Sequence, residues 1–293
     1  MPERLVCTTA FGKPKYAEMA LGFARSLKFI GDTTPRAIMT DIEGINWERY
    51  YDIVIRKSIP MEEMYWSRFF ALEETDTKQV LCVDSDCLVF KRLDPIFEAF
   101  EGSGYGVQGL LMDTGDWYDK DLGELCREQG VPPIPKFNGG LMYIEPGEVF
   151  ESVVAKAKEN RERFFELGFK TERVSIPDEP CFALAMAQLG VGRCVHDSEN
   201  FQNSGVGLVG KLHLDVTRAE CRYLCRRYDL QYVEPYIWHA HYWAKFTIYW
   251  RELKKLERLE KFGDSIDLHY RPPFHSVKRS LQKRWMSLFW GIR

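Results

Sequence analysis

Val80 to Phe90 reads VLCVDSDCLVF. Two aspartates, Asp84 and Asp86, interrupt an otherwise apolar run, and the meaning of that interruption decides the fold. A buried carboxylate without a partner is costly, and an ionised one costs far more. Two of them one residue apart also repel unless a positive charge lies between them. The flanks Val80, Leu81, Val83, Leu88, Val89 and Phe90 are strand-like and apolar. On an extended chain residues i and i+2 point the same way, so both carboxylates face one side and Ser85 the other. If the strand ends there, the pair emerges at its C-terminal edge, where open α/β sheets bind ligands. Two hard oxygen ligands from one short segment suit Mg²⁺ or Mn²⁺. A chance D-x-D on a solvated loop is the alternative, and the apolar flanks argue against it.

Working outward, Arg4 to Ala10 is a β-type run, Lys15 to Phe29 has helical spacing through Ala17, Ala20, Leu21, Ala24 and Leu27, and Arg36 to Met39 is again strand-like. Strand, helix, strand predicts a parallel α/β sheet. Tyr51 to Ile55, Tyr105 to Leu111 and Phe137 to Ile144 add strands, and the helix expected at Met61 to Glu74 leads into the stretch Gln79 to Phe90. Helices are expected over Met61 to Glu74, Val149 to Leu167, Asp178 to Leu189 and Arg251 to Lys261, with a short one at Leu122 to Gln129 inside the polar stretch Asp113 to Pro135. No internal repeat or low-complexity linker divides the chain. The expectation is a catalytic α/β domain over 1–250 and a helical, basic-aromatic extension over 251–293.

The chain has 293 residues, 45% hydrophobic and 28% charged, with a net charge of -3. That is ordinary for a globular protein and gives no overall basic field for nucleic acid. The 8 Trp, 14 Tyr and 19 Phe fit either a thick core or a cleft that stacks flat ligand faces. None of the eight cysteines forms a C-x-x-C pair, which disfavours zinc-ribbon and thioredoxin readings. Cys221 and Cys225, four apart, look like one face of a helix. The N-terminal apolar run is too short for a signal peptide, and no stretch reaches the ~18 apolar residues of a membrane span. A reducing, cytoplasmic setting is expected.

Three further motifs carry chemistry. In Phe137-Asn138-Gly139-Gly140-Leu141-Met142 two glycines let the backbone approach a ligand closely, and Asn138 offers donors and an acceptor to a hydroxyl-rich one; an Asn-Gly hairpin turn explains the same residues. Asp178-Glu179-Pro180 opens a helix, as the helix dipole favours for any acidic pair. In Trp238-His239-Ala240-His241-Tyr242-Trp243-Ala244-Lys245, two of the six histidines lie two apart and a lysine follows. Imidazole suits a transition metal and the lysine suits a phosphate.

The ordered set resembles the GT-A-fold glycosyltransferases, and most closely the family 8 group of glycogenin-like and lipopolysaccharide galactosyltransferases. The matching pieces are Thr8-Thr9-Ala10 ending the first strand, Arg68 before the D-x-D, VDSD, FNGGLM, Asp178-Glu179, and His239 with Lys245 six residues later. They span roughly Arg4 to Lys245. The resemblance implies a GT-A (Rossmann-like) mixed, mainly parallel central sheet flanked by helices. It also implies a metal-dependent hexosyl transfer, with retention, from a nucleotide sugar, a UDP-sugar, to a glycan or lipid-linked glycan.

By the same resemblance Asp84, Asp86 and His239 hold Mn²⁺ (or Mg²⁺), His239 being preferred to His241 because the family places Lys six residues after its ligand. Lys245 contacts the diphosphate. Thr8, Ala10 and Asp41 line the nucleoside pocket, Ser85 joins the donor-binding set, and Arg68 lies near the phosphates or sugar. Asn138 and Gly139 border the donor sugar, and Asp178 and Glu179 stand near the reacting carbon. The chain departs from the family pattern at Tyr242, where Gly is usual, at Phe246-Thr247, where Pro-Trp is usual, and at Glu179, where Gln is common. The alternatives are a non-catalytic nucleotide- or glycan-binding protein of the same fold and an Asp-dependent phosphohydrolase. The latter expects its D-x-D near the start of the fold, followed by Gly-Thr, whereas Cys87-Leu88 follows here. Finally, His275 to Arg293 mixes cations with Trp285, Phe289 and Trp290, which fits a peripheral membrane contact.

Overall fold

The computed structural model describes residues 2–69 and 74–262. The strands, in chain order, are β1 (Arg4–Ala10), β2 (Arg36–Thr40), β3 (Ile53–Arg56), β4 (Gln79–Val83), β5 (Cys87–Val89), β6 (Tyr105–Met112), β7 (Asp116–Trp117), β8 (Lys120–Asp121), β9 (Ile134–Ile144), β10 (Arg193–His196), β11 (Gln202–Asn203), β12 (Leu208–Asp215), β13 (Glu220–Cys225), β14 (Gln231–Val233) and β15 (Ile237–His239). The helices are α1 (Pro14–Phe29), α2 (Asp94–Phe100), α3 (Leu122–Gln129), α4 (Glu148–Glu162), α5 (Asp178–Leu189) and α6 (Thr247–Phe262).

Seven strands form the central sheet in the order β10-β6-β9-β4-β1-β2-β3. β1 runs parallel to β2 and β4, β2 to β3, and β10 to β6, while β9 alone runs against both its neighbours. The predicted mixed, mainly parallel sheet flanked by helices is therefore the architecture found. Alternation along the strands sorts the core into two layers. Leu5, Cys7, Val80, Cys82, Met142 and Ile144 face one side, which is closed by α4 and α5. Val6, Leu81, Val83, Leu141 and Tyr143 face the other, against Phe23 and Leu27 of α1 and Phe97 and Phe100 of α2.

Helix ends follow local chemistry. Pro14 occupies the first turn of α1, where its missing N–H is not needed. Asp121 caps α3 by accepting from the Glu124 N–H at 2.6 Å. Gly130 and Gly190 end α3 and α5 at φ 63° and 66°, a left-handed conformation that glycine adopts without steric cost.

α6 begins at Thr247, so position 250 falls inside it, and it lies along α1. Its Leu253 fills the space beside Gly22, where a side chain would collide with it. Glu260 accepts from Arg25 Nε at 2.8 Å and from the Tyr50 hydroxyl at 3.0 Å, locking the end of α6 to the first βαβ unit. Among the described residues no helix is long and apolar enough to cross a membrane. The tail His275 to Arg293 lies outside the described residues.

β4 ends just before the aspartates: Asp84 to Asp86 form a turn between β4 and β5, closed by the Cys87 N–H donating to the Asp84 carbonyl at 3.1 Å. Two expectations need correction. Cys221 and Cys225 lie on β13, not a helix; a spacing of four repeats a face in both structures, and the alternating burial of Cys221, Tyr223 and Cys225 is that of a strand. Within Met61 to Glu74 the chain makes a 3₁₀ turn at Met61–Glu63 and helical turns at 67–69 rather than one helix through the described part. Tertiary contacts set that path, since Trp66 buries its ring against Phe182 and donates to the Ile176 carbonyl at 3.2 Å.

Candidate functional site

The C-terminal ends of the parallel strands β1, β2 and β4 share one edge, and Ala10, Asp41 and Asp84 stand there. β5, leaving the D-x-D turn, pairs antiparallel with β15 and sets His239 opposite Cys87. The Ala240 N–H donates to the Asp86 carbonyl at 3.0 Å, so the ladder runs on past the histidine. This pairing brings His239 Nε2 to 3.1 Å from Asp86 Oδ1 and 3.6 Å from Asp84 Oδ2.

The motif Asn138-Gly139-Gly140 lies inside β9, not at a hairpin turn. Pairing of β9 with β6 shifts register there, from Val107↔Met142 to Gly109↔Phe137, so the intervening residues bulge out of the ladder. Gly109 permits the bulge, because a side chain on it would strike the Lys136 carbonyl. From the bulge Asn138 Oδ1 lies 2.9 Å from His239 Nδ1 and accepts from the Gly140 N–H at 3.0 Å. An acceptor on Nδ1 places the ring proton there and turns the Nε2 lone pair toward the aspartates. Gly140 has to be glycine for this ring to sit where it does: a Cβ would fall 2.5 Å from His239 Nδ1 and 2.7 Å from Cε1.

Behind the turn lies Arg68, with only 12% of its side chain exposed. Its Nη2 is 3.2 Å from Asp84 Oδ1 and its Nε 3.6 Å from Asp178 Oδ2, and Nη1 donates to the Gly139 carbonyl. Burial alone would lower the guanidinium pKa, but Asp84 and Asp178 raise it on balance. Asp178 is buried at the first turn of α5, and its Oδ2 lacks a hydrogen bond at the 3.6 Å separation from Arg68. Burial therefore wins over the arginine and, helped by Glu179 and Asp84, pushes the Asp178 carboxyl up to about 7. Glu179 has both oxygens occupied: Oε1 accepts from the Gly139 N–H at 2.7 Å and Oε2 from the Tyr118 hydroxyl at 2.8 Å.

The aspartate–histidine cluster carries opposed effects. Burial raises the Asp86 carboxyl pKa, yet His239, His241 and a backbone donor bring it below the ordinary value. Burial lowers the His239 imidazole pKa, yet Asp86 and Asp84 leave it raised. An edge of an octahedron with ~2.1 Å bonds is about 3 Å long, so the 3.1 Å between Nε2 and Asp86 Oδ1 fits two neighbouring ligands of a small divalent ion. Cys87 Sγ also lies within 4.8 Å of the ligand atoms of Asp86 and His239. Burial pushes that thiol well above its ordinary pKa, and a protonated thiol is no ligand for a hard cation. Among the described residues the group whose ligand atoms lie mutually within 4.8 Å is Asp86, Cys87 and His239; Asp84, expected as a ligand, faces His239 Nε2 at 3.6 Å but falls outside that group.

These groups open on a cavity of about 330 Å³. Arg68, Asp84, Asn138, Gly139, Asp178, Glu179 and His239 line it together. Of the other residues singled out in the sequence, Thr8 and Ser85 are buried and Ala10 and Asp41 sit at the strand ends, Asp41 Oδ1 accepting from the Gly12 N–H at 2.8 Å. Lys245 is exposed on the 3₁₀ turn His241–Lys245, its ammonium 5.0 Å from the Tyr242 ring, and does not line the cavity. Sequence reasoning missed Tyr65, Trp117, Tyr118 and Arg173, which wall the cavity. The adjacent Trp117-Tyr118 in an otherwise polar stretch was the available signal; Arg173 carries none.

Asp178 gives a testable pH dependence. Its folded pKa of about 7 lies above the ordinary 3.8, so the native state holds the extra proton between those values. This group's contribution to stability is full below about pH 4 and falls as pH rises toward 7, by at most ~1.4 kcal/mol per pH unit for one proton. In urea titrations of the metal-free protein, Asp178→Asn is expected to flatten the decline between pH 4 and 7; an unchanged difference from wild type across that range contradicts the assignment.

No protein-family profile and no curated protein sequence matches the chain. Among solved structures, the glycosyltransferase GlyE of Streptococcus pneumoniae TIGR4 is similar at 17% identity and a TM-score of 0.46, over 69% of this chain and 47% of that one. Its apo form is similar at 16% identity and a TM-score of 0.47, over 68% of this chain and 46% of that one. The galactosyltransferase LgtC, in complex with donor and acceptor sugar analogs, is similar at 13% identity and a TM-score of 0.45, over 68% of this chain and 74% of that one. The chain thus spans about half the length of GlyE.

Proposed function

We propose that the protein is a metal-dependent glycosyltransferase. It moves a sugar from a nucleotide-sugar donor, a UDP-sugar, to a hydroxyl of a glycan or lipid-linked glycan. The observation that carries this reading is the convergence of Asp84 and His239, from two sheets, onto a cavity that also holds Arg68, Asp178 and Glu179, with Asp86 3.1 Å behind the histidine's Nε2. Asp84, Asp86 and His239 would hold Mn²⁺ or Mg²⁺, which when bound supplies Lewis-acid neutralisation of a diphosphate leaving group.

The chain's own residues do the rest. Asn138 fixes the His239 ring. Arg68 holds Asp84 in place and adds a fixed positive charge behind the leaving-group side, where low exposure strengthens it. Glu179, oriented through both oxygens, accepts from sugar hydroxyls and the Asn138 amide NH₂ donates to one, while Asp178, with its raised pKa, carries a proton at Oδ near neutrality. Trp117 and Phe137, whose rings meet edge to face at 6.3 Å, offer apolar faces for the sugar or acceptor. Ala10, Asp41 and Thr8 are assigned to the nucleoside, being at or near the same strand edge. The diphosphate role of Lys245 and the retained configuration rest on the family resemblance alone.

Calorimetry of UDP with and without Mn²⁺ tests the reading, and metal-dependent binding is the expected result. A panel of UDP-sugars should then show slow release of UDP from one donor. No binding of UDP under either condition overturns the glycosyltransferase reading, and binding without release from any donor leaves a binding protein.

A further inference from the structure

We infer that Tyr118 is a positioning residue, held in a left-handed turn so that its hydroxyl locks the Glu179 carboxylate against the sugar-facing side of the cavity. The inference rests on the glycosyltransferase reading and deepens it.

β7 and β8 form a hairpin in which Asp116 pairs with Asp121 and Trp117 with Lys120. Only Tyr118 and Asp119 connect them, and both have positive φ, 50° and 62°. A two-residue loop of this kind demands positive φ at both positions and is dominated by Asn-Gly and Asp-Gly, because a Cβ crowds the backbone there. Aspartate tolerates the conformation, whereas a bulky aromatic residue in it is an outlier. The surroundings over-determine it. The Lys170 N–H donates to the Tyr118 carbonyl at 2.8 Å, Phe164 meets the ring edge-on, and the Arg173 guanidinium lies 5.9 Å over its face. Strain of this sort persists where something else in the structure requires the side chain.

What the strain delivers is the phenol. Its hydroxyl donates to Glu179 Oε2 at 2.8 Å, while the Gly139 N–H takes Oε1 at 2.7 Å. Burial and the neighbouring Glu179 raise the phenol pKa, so it stays a donor throughout the physiological range. With one partner on each oxygen, the carboxylate cannot rotate, and each oxygen keeps a lone-pair direction free. A carboxylate fixed in this way accepts from two neighbouring hydroxyls of a sugar ring at once, so the group it recognises is a polyol face and not an anion. Gly139 supports the same geometry from the other side: a Cβ there would lie 3.2 Å from Glu179 Cγ, tight enough to displace the acid.

The test is Tyr118→Phe, which keeps the ring, its packing and the turn and removes only the hydroxyl. Expected results are a kcat lowered about 10- to 100-fold, the loss typical when an orienting partner is removed, with the KM for the donor within about threefold and an unchanged Tm. Calorimetry should show Mn²⁺-dependent UDP affinity unchanged, while the extra affinity of the intact UDP-sugar over UDP falls. In a Glu179→Gln background the further loss from Tyr118→Phe should shrink to less than about twofold, since the two residues act as one unit. If wild type turns over a donor but Tyr118→Phe matches it, or if the two substitutions add independently, the positioning role is overturned while the glycosyltransferase reading stands. If wild type neither binds UDP nor releases it from any donor, the reading itself fails.

Discussion

Asp86→Asn is expected to abolish Mn²⁺-dependent binding of UDP and to lower turnover by about a thousandfold or more, corresponding to several kcal/mol of lost charge stabilisation. The neutral amide keeps the shape of the turn but removes one of two carboxylates facing His239 Nε2, the closer of them at 3.1 Å. Isothermal titration with Mn²⁺ and UDP, beside a UDP-release assay, measures both effects. Fold stability of the metal-free protein should fall modestly near neutral pH, because His239 and His241 hold the Asp86 carboxylate below its ordinary pKa despite its burial. Asn138→Ala, which frees the His239 ring and leaves the Gly140 N–H without its acceptor but keeps all the carboxylates, should cost less, about 10- to 100-fold in metal affinity. Wild-type metal binding in Asp86→Asn would remove this carboxylate from the ligand set.

Arg68→Met is expected to give the largest loss of stability, about 3–5 kcal/mol in urea denaturation at pH 8, as for one partner removed from a buried charge pair. The guanidinium neutralises Asp84 and Asp178 and donates to the Gly139 carbonyl. Methionine fills much of the volume and satisfies none of these groups. The direction of the pH effect follows from Asp178, whose carboxyl sits at about 7 even with the arginine present. Without Arg68 it climbs further, so the variant's acid takes up its proton at higher pH than the wild type's, and part of the loss should be recovered as pH falls from 8 toward 7. Adding Asp178→Asn to Arg68→Met should restore a similar part at pH 8. A double-mutant cycle with no coupling between the two positions would contradict the ion pair.

The residues that report the fold are those whose signals are local. Short, largely apolar runs place β1, β6 and β9, Pro14 and Gly190 mark helix ends, and the predicted Leu122 to Gln129 and Asp178 to Leu189 helices match the structure residue for residue. Local signals also misled where one spacing serves two structures, as at Cys221 and Cys225. At Asp84 to Asp86 a turn lies inside an apolar run. There the carboxylates share a side because the chain reverses around them, not because an extended strand alternates.

By itself the sequence determined that acids stand at the edge of a parallel sheet, since an excess of carboxylates in apolar surroundings is an electrostatic problem visible in residue types alone. Only the tertiary structure decided what answers it. His239 reaches the aspartates through the β5–β15 pairing, Asn138 through a bulge in β9, Arg68 from the turns behind Asp84, and Tyr118 through a left-handed hairpin tip. Each partner is set by which strands share an edge and by where a ladder slips. No short stretch of chain encodes that, because the energy deciding it is spread over contacts between residues far apart in the sequence.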